Sequence, residues 1–537
     1  MVLERANFLC NYNVLTYMNL TCYYRGVIYK AGLKAGEESI VELLNEYCLS
    51  KHINTTYFMG SYWIVIIDET NDLVIFFGDN SGSCSFYFDT NTNIFSDSFL
   101  DITKQSNQLL PNFDAITQFL SFNCIYSEDT ICKGIHRTNP SNYYVIENDS
   151  IKVKEKEFLK LDENCKYTNL SEYFDDFIYA TQDFRKAAVI TGGTDSRTIL
   201  SHLIYKNENF DLFISGCDEM KDVKIAKEIS KRISKYLHVS NESINNLNEE
   251  ELRALFESTD GVYSYVSRFR LHKKNEMLVK IGTDIEVGGV AGELYKNSFL
   301  NQDFPFYMCK RFNKNKFYNV KMNPEKLEKS LFTREINNAQ NIMKERILNN
   351  IFGKTSGKKH QVYFKAGVKV LQYRMNTITN SSSFTIPILS PFAEIDVMPL
   401  AYNEKPWNLE LNRWQRHEVS RYCPQIASIP TDRGTTLKDK KMSMLKEFLR
   451  TYLFLFRMGI SRVLKFKKRI LIRNINNDFS KIREMEIFNI AIDTTREIGI
   501  LNENVNSEDI PDSIADKLLT IALVFDADSI WGNLSAY

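Results

Sequence analysis

The sequence predicts a chain of mixed α/β and α+β class in three parts: a mostly β N-terminal domain, a parallel α/β domain and a helical C-terminal extension. Three observations lead there. Residues up to about 155 are rich in Tyr, Phe, Ile, Val and Asn and show little helical periodicity. Near residue 155 the texture changes to apolar runs alternating with helical patterns, the mark of βαβ units. From Lys438 to Arg473, apolar and basic residues mix in a way that suits a helix. The boundaries drawn from these shifts are 1–155, 156–435 and 436–537, and 537 residues agree with two or three domains of roughly 150 residues each.

In the first part, Tyr62 to Ile67 and Leu73 to Phe77 are apolar runs either side of Asp68 to Asp72, which predicts a hairpin. Strand-like Ser85 to Phe88 and Asn91 to Phe95 follow, and Gly36 to Ser50 reads as a helix. The second part predicts a strand at Lys186–Ile190, a helix at Asp195–Asn207 and a strand at Phe210–Ser215. A helix with Val223, Ala226, Ile229 and Ile233 on one face comes next, then a strand at Leu237–Ser240. Such a βαβαβ run implies a parallel sheet with ligand at the carboxyl ends of its strands. From about 305 to 430 the pattern is mainly helical, and no internal repeat is visible.

Composition narrows the function classes. Apolar residues make up 44% and charged residues 25%, the ordinary values for a chain with large cores. Lys+Arg and Asp+Glu are both 67, so no global field selects nucleic acid or an anionic membrane as partner. Ten cysteines lie far apart without a Cys-x-x-Cys pair, and Cys132 with His136 lacks the second pair a zinc site needs. Scattered cysteines suit a reducing compartment. Glu4 and Arg5 precede a short, polar-interrupted stretch that is neither signal peptide nor membrane span. The expectation is a soluble, cytoplasmic protein.

The most informative stretch is Thr191-Gly192-Gly193-Thr194-Asp195-Ser196-Arg197, between the run ending at Ile190 and a helical pattern. A strand feeding a glycine turn that opens a helix aims backbone N–H groups and the positive helix end at one spot. Gly192 and Gly193 let the backbone approach a bulky anion, Thr191 and Ser196 add hydroxyl donors, and Asp195 is placed to hold Mg²⁺ against phosphates. The order Ser/Thr-Gly-Gly-x-Asp-Ser resembles the pyrophosphate loop of enzymes that split ATP between its α and β phosphates.

With that loop on a strand–helix junction, the chain resembles the asparagine-synthetase-like family over roughly residues 55 to 435. Gly78-Asp79-Asn80-Ser81-Gly82 through Phe86-Tyr87 resembles the family's Arg-Asp-x-x-Gly-x-x-x-Leu-Tyr segment, and Ile94-Phe95-Ser96-Asp97 its next phrase. Phe119-Leu120 through Thr130-Ile131-Cys132-Lys133-Gly134-Ile135 and Asn139-Pro140 is similar to the stretch that closes the amidotransferase domain. Gly288-Gly289-Val290-Ala291-Gly292-Glu293 stands where the family has Gly-Glu-Gly-x-Asp-Glu, and Pro391-Phe392-Ala393-Glu394 where it has Pro-Phe-Leu-Asp. The resemblance implies an Ntn-type glutamine-amidotransferase-like domain followed by an ATP-pyrophosphatase (adenine nucleotide α-hydrolase-like) synthetase domain. ATP and Mg²⁺ are the implied cofactors.

Two departures qualify what the resemblance implies. Glutaminase members of the family expose an N-terminal cysteine; here residue 2 is Val2, and Cys10 would serve only after removal of nine residues. The N-terminal domain is therefore expected to act as a lid or docking surface. Gly289 and Gly292 replace a glutamate near the reaction centre and an aspartate that helps hold Mg²⁺. Glu286 and Asp284 are substitutes if the loop is shifted, and Glu293 is the acid in register.

In the implied reaction a carboxylate attacks the α-phosphate of ATP, and an amine or ammonia then displaces AMP. Gly192, Gly193 and Ser196 would cradle pyrophosphate, with Asp195 on the metal. Ile190, Ser215 and Gly216 would border the adenine, with Thr191 and Gly288 completing the nucleotide site. Glu293 and Arg433 are the expected catalytic residues, Arg433 chosen over Arg374, Arg413 and Arg416 because it lies in a turn-like segment. Arg197 either touches a phosphate or caps the first helical turn. The substrate would be a small-molecule, sugar-acid or peptide carboxylate. A nucleotide-binding scaffold with failed chemistry is the alternative, and a tRNA-modifying pyrophosphatase fits the β-rich N-terminal part poorly.

The stretch 438–473, with Leu445, Phe448, Leu449, Leu453, Phe454 and Phe456 beside Lys465, Lys467, Lys468 and Arg469, has two readings. One is an amphipathic helix touching a membrane surface, RNA or an acidic partner. The other, preferred on sequence, is a helical subdomain with a solvated basic face.

Overall fold

The structure, a computed structural model, describes residues 7–8, 12–463 and 479–534, apart from 91, 93, 107, 149, 164, 243, 245–246, 297–311, 354 and 384. Expectations for Val2, Glu4, Arg5, Cys10, Lys465, Lys467, Lys468 and Arg469 lie outside these residues. The fold is mixed α/β, with an antiparallel sheet near the N-terminus, a parallel sheet later, and helices around both.

The antiparallel sheet has six strands in the order Ser150–Glu155, Asn142–Glu147, Leu73–Gly78, Phe58–Asp68, Leu20–Lys30, Asn13–Tyr17. The expected hairpin is present, closing at the Asp68–Leu73 pair. Strand Phe58–Asp68 is buried on both faces, which explains its unbroken apolar run. Ile64 and Ile66 face the helix Glu37–Ser50, packing in the cluster of Ile40, Leu43 and Leu44. Trp63, Val65 and Ile67 alternate to the other face and meet Phe86, Phe88 and Phe95. Phe88 and Phe95 belong to a small second sheet that contains Tyr87–Asp89, Ile94–Ser96 and Ile135–Arg137, and Phe86 immediately precedes its first strand.

The parallel sheet runs in the order Leu237–Ser240, Phe210–Ser215, Lys186–Val189, Ile285–Val287, Ile388–Leu389. Its first three strands match the sequence reading; the last two were not anticipated. The chain therefore builds outward on one side of Lys186–Val189 and then crosses to the other. That reversal, between Lys186–Val189 and Ile285–Val287, is where an open parallel sheet leaves a crevice at its carboxyl ends.

The C-terminal part is helical: Lys441–Val463, Ser480–Glu484, Glu486–Glu497 and Asp512–Leu534. Its last three helices are no appendage. Leu518, Leu519 and Ile521 share one core with Leu100 and Phe119 of the N-terminal part and Leu255 of helix Glu249–Thr259. The Asp516 carboxylate accepts from the Val266 and Ser267 amides, and Lys517 Nζ donates to the Leu120 carbonyl at 2.6 Å. On helix Lys441–Val463 the basic Lys446, Arg450 and Arg457 are exposed, and so are the apolar Leu445, Phe448, Leu449, Leu453, Phe454 and Phe456.

The two sheets meet along a buried polar seam. The Gly60 amide donates to Glu394 Oε1 at 3.1 Å, the Tyr57 amide to Asp396 Oδ1 at 3.1 Å, and the Tyr29 and Tyr173 hydroxyls are 2.7 Å apart. Burial, with Asp79 and Asp396 nearby, pushes the Glu394 carboxyl well up. Burial also pushes Asp396 up to about 7 and Lys156, whose charge faces Asp79, down to about 7. A carboxyl with a raised native pKa holds a proton the unfolded chain has released, so stability falls as pH rises from the unfolded value toward the native one. Asp396→Asn keeps an acceptor for the Tyr57 amide. It is expected to flatten the decline in the urea midpoint between about pH 4 and about pH 7 relative to wild type.

Candidate functional site

Strand Lys186–Val189 ends at Ile190, whose amide donates to the Phe213 carbonyl at 3.0 Å and whose side chain is buried in the core rather than lining a pocket. The chain then turns through Thr191, Gly192 and Gly193 into helix Thr194–Tyr205. The Thr191 amide donates to Ser196 Oγ at 3.1 Å, and the Gly193 amide to Thr191 Oγ1 at 3.2 Å. Both hydroxyls thus help to shape the loop. The Gly192 amide donates to Asp222 Oδ1 at 3.0 Å, and a Cβ on Gly192 would lie 2.4 Å from that oxygen. The helix start at Gly193 has no side-chain cap, so its first-turn amides are the kind of donors an anion takes.

Arg197 neither reaches toward a phosphate nor pairs with an acid at the helix start. It is wholly buried, donating to the carbonyls of Ile429 and Pro430 at 2.7 Å each. Burial lowers it to about 10, so it stays charged at neutral pH. The Asp432 amide returns a bond to the Gly192 carbonyl at 3.0 Å, which fixes the 429–432 turn on the loop.

Asp195, the expected metal ligand, is held by two groups that the sequence reading missed. Lys296 Nζ is 2.6 Å from Oδ2, and Gln415 Nε2 donates to Oδ1 at 2.7 Å and to the Gly292 carbonyl at 3.0 Å. The turn after Ile285–Val287 presses directly on this carboxylate. A Cβ on Gly289 would lie 2.8 Å from the Asp195 carbonyl carbon and the Ser196 nitrogen, and one on Gly292 2.3 Å from Asp195 Oδ1. Ser390 Oγ, beyond the outer strand, donates to the Val290 carbonyl at 2.6 Å and steadies the turn. Larger residues at 289 and 292, such as the acids implied by the resemblance, would need the turn to retreat.

The other expected residues scatter. Ser215 ends its strand beside Ser240, with Oγ buried and without a partner. Gly288 continues the sheet through its bond to the Leu389 carbonyl and has ordinary space for a Cβ. Glu293 is exposed, and its charge acts on Lys321 and Arg374; burial pushes Lys321 down to about 8. Arg374 itself donates to the Tyr126 hydroxyl at 3.0 Å. Arg433 is largely exposed, with Glu447 3.9 Å away, and Arg416 is buried against Glu447. Arg413 lies at the start of helix Arg413–Tyr422, its Nε buried without a partner. Glu286 pairs with Lys274, and Asp284 accepts from the Arg185 amide. Nothing in the sequence singles out Lys296 or Gln415, since neither belongs to a motif.

Among the described residues, no group of three His, Cys, Asp or Glu side chains could hold a metal. Asp195 suits a Mg²⁺ ion that arrives with nucleotide phosphates supplying most of its ligands, provided Lys296 gives way. For the nucleotide the fit is better: Ser215 Oγ and Gln415 Oε1 are buried without partners near the strand ends, beside an uncapped helix start. A cleft of about 1070 Å³, lined by Asn139, Lys156, Asn350 and Gln372 among others, contains none of the loop residues. Comparison with protein-family models and with curated proteins gives no match.

Because backbone, not a mobile side chain, blocks a Cβ at 289, Gly289→Ala is expected to destabilise the chain by about 1–3 kcal/mol. Gly288→Ala, at a site with room, is expected to cost no more than about 1 kcal/mol. Paired urea titrations measure the difference.

Proposed function

We propose that this chain is an ATP-dependent amide-forming ligase resembling asparagine synthetase, with an Ntn-type amidotransferase-like first domain and an ATP-pyrophosphatase-type second domain. The observation that carries the reading is the meeting of loop 190–196 with turn 288–293 at the point where strand order reverses. That is where parallel α/β sheets bind nucleotides. A substrate carboxylate oxygen would attack the α-phosphorus of ATP, and the bond to the pyrophosphate oxygen would break. An amine or ammonia would then attack the acyl carbon and release AMP.

Negative charge grows on the departing pyrophosphate, so fixed donors aimed there do most of the work. The first-turn amides of helix Thr194–Tyr205 are such donors, and Lys296 supplies a nearby cation. Mg²⁺ on Asp195 would neutralise further charge. The substrate acid is expected to be a small molecule, a sugar acid or a peptide.

A nucleotide-binding scaffold without chemistry is the second reading. It is favoured by the prior engagement of Asp195 with Lys296 and of the Gly192 amide with Asp222. Pyrophosphate release with panels of candidate acids separates the two. Under the ligase reading, Asp195→Asn is expected to cut AMP formation by roughly tenfold or more; unchanged AMP formation would remove Asp195 from the mechanism. Both readings place phosphate near the Asp222 carboxylate. Asp222→Asn is therefore expected to tighten ATP binding by about fivefold, read by equilibrium titration.

A further inference from the structure

Helix Lys441–Val463 is held to the molecule by its polar side. Glu447, 2% exposed, accepts from Thr435 Oγ1 and lies 3.7 Å from Arg416. Ser443 Oγ and Thr436 Oγ1 are 2.5 Å apart, and the Tyr452 hydroxyl donates to Glu410. Much of the rest of the helix surface is apolar and open, with Tyr452 tied to Glu410 inside it and Phe454, 53% exposed, on the same side as Glu447. Met442, Leu445, Phe448, Leu449, Leu453 and Phe456 are between 43% and 64% exposed. Their spacing of three and four residues makes them one stripe along the helix. Isolated exposed apolar residues need no explanation, but a contiguous stripe of leucines and phenylalanines does.

The charge beside the stripe is of one sign. The chain as a whole is balanced at 67 against 67. Between 438 and 457, however, Lys438, Lys440, Lys441, Lys446, Arg450 and Arg457 face only Asp439 and Glu447. Glu447 is buried beside Arg416, and Asp439 is 3.1 Å from His417. Lys446, Arg450 and Arg457 recur at helical spacing along one flank of the stripe, where Arg450 also donates to the Arg433 carbonyl.

We propose that this helix is a docking surface for an anionic lipid membrane, lying in the plane of the interface with its stripe among the acyl chains and its basic flank among the headgroups. An amphipathic helix with this division of faces is suited to that position. A second copy of the chain would bring two basic flanks together at an electrostatic cost. A nucleic acid would use the flank and leave the stripe in water. Among the described residues no helix is long and apolar enough to cross a membrane. The surface needs no unfolding to be presented, because the polar face already anchors the helix. The inference does not depend on nucleotide chemistry.

The test is flotation of the full chain with phosphatidylcholine vesicles, with and without phosphatidylglycerol, at low and high salt. Binding to the anionic vesicles at low salt is expected, with partitioning weaker by roughly tenfold on neutral vesicles or at high salt. Leu449→Glu with Leu453→Glu changes exposed positions only, and is expected to abolish flotation while circular dichroism stays unchanged. Lys446→Gln with Arg457→Gln is expected to weaken binding and reduce its salt dependence. The proposal is overturned if wild type fails to float with anionic vesicles, or if the leucine variant floats as well as wild type. It is equally overturned if wild type is a dimer that the leucine variant converts to monomer, which would make the stripe a contact between copies.

Discussion

A single buried guanidinium holds the two ends of the α/β part together. Arg197 follows the glycine loop in sequence, yet its donors go to the carbonyls of Ile429 and Pro430, more than two hundred residues later. Removing a charged side chain from water is costly unless its donors are met. Here two backbone carbonyls take the terminal Nη donors while Nε stays buried without a partner, and the charges of Asp432, Glu228 and Asp222 lie nearby. The turn so fixed carries Asp432 back to Gly192 and Thr435 on to Glu447. Loop, turn and C-terminal helix are therefore one mechanical unit, and the position of each follows from the same buried charge.

Around that unit the candidate site is a balance of charges internal to the chain. Asp195 is neutralised by Lys296 and steadied by Gln415, and the Gly192 amide is satisfied by Asp222. A phosphate-bearing ligand would have to exchange these partners for its own oxygens and cation. The ion pair is the part open to such exchange, since Lys296 and Asp195 are both partly open to solvent, whereas Gln415 is wholly buried.

Much of the frame was legible in the sequence. The glycine loop, the hairpin at 62–77 and the first three parallel strands each carry a local signal, either turn chemistry or an apolar run of sufficient length. Ile285–Val287 and Ile388–Leu389 were not legible, because three and two residues are too few to show a period. Those short strands create the reversal that makes the crevice. Lys296 and Gln415 were missed for a different reason: their roles come from tertiary approach across a turn and a helix, which no local pattern encodes. In the C-terminal stretch, amphipathicity shows only that a helix has two faces. Which face meets the protein was decided by Glu447 and Ser443, a buried acid and a hydroxyl that sequence reasoning assigns to solvent.

The seam between the sheets is written on one side only. At Glu394 and Asp396 the specificity resides in side chains, whereas at Gly60 and Tyr57 the bonds are made by main-chain amides. Most side chains on the amide side can therefore drift without breaking the joint. Gly60 is the exception, since its φ of +115° and a Cβ lying 2.0 Å from the Val27 carbonyl oxygen leave no other residue a place there. Variation across this boundary should accordingly be lopsided, with the two acids and one glycine held fixed while their surroundings change.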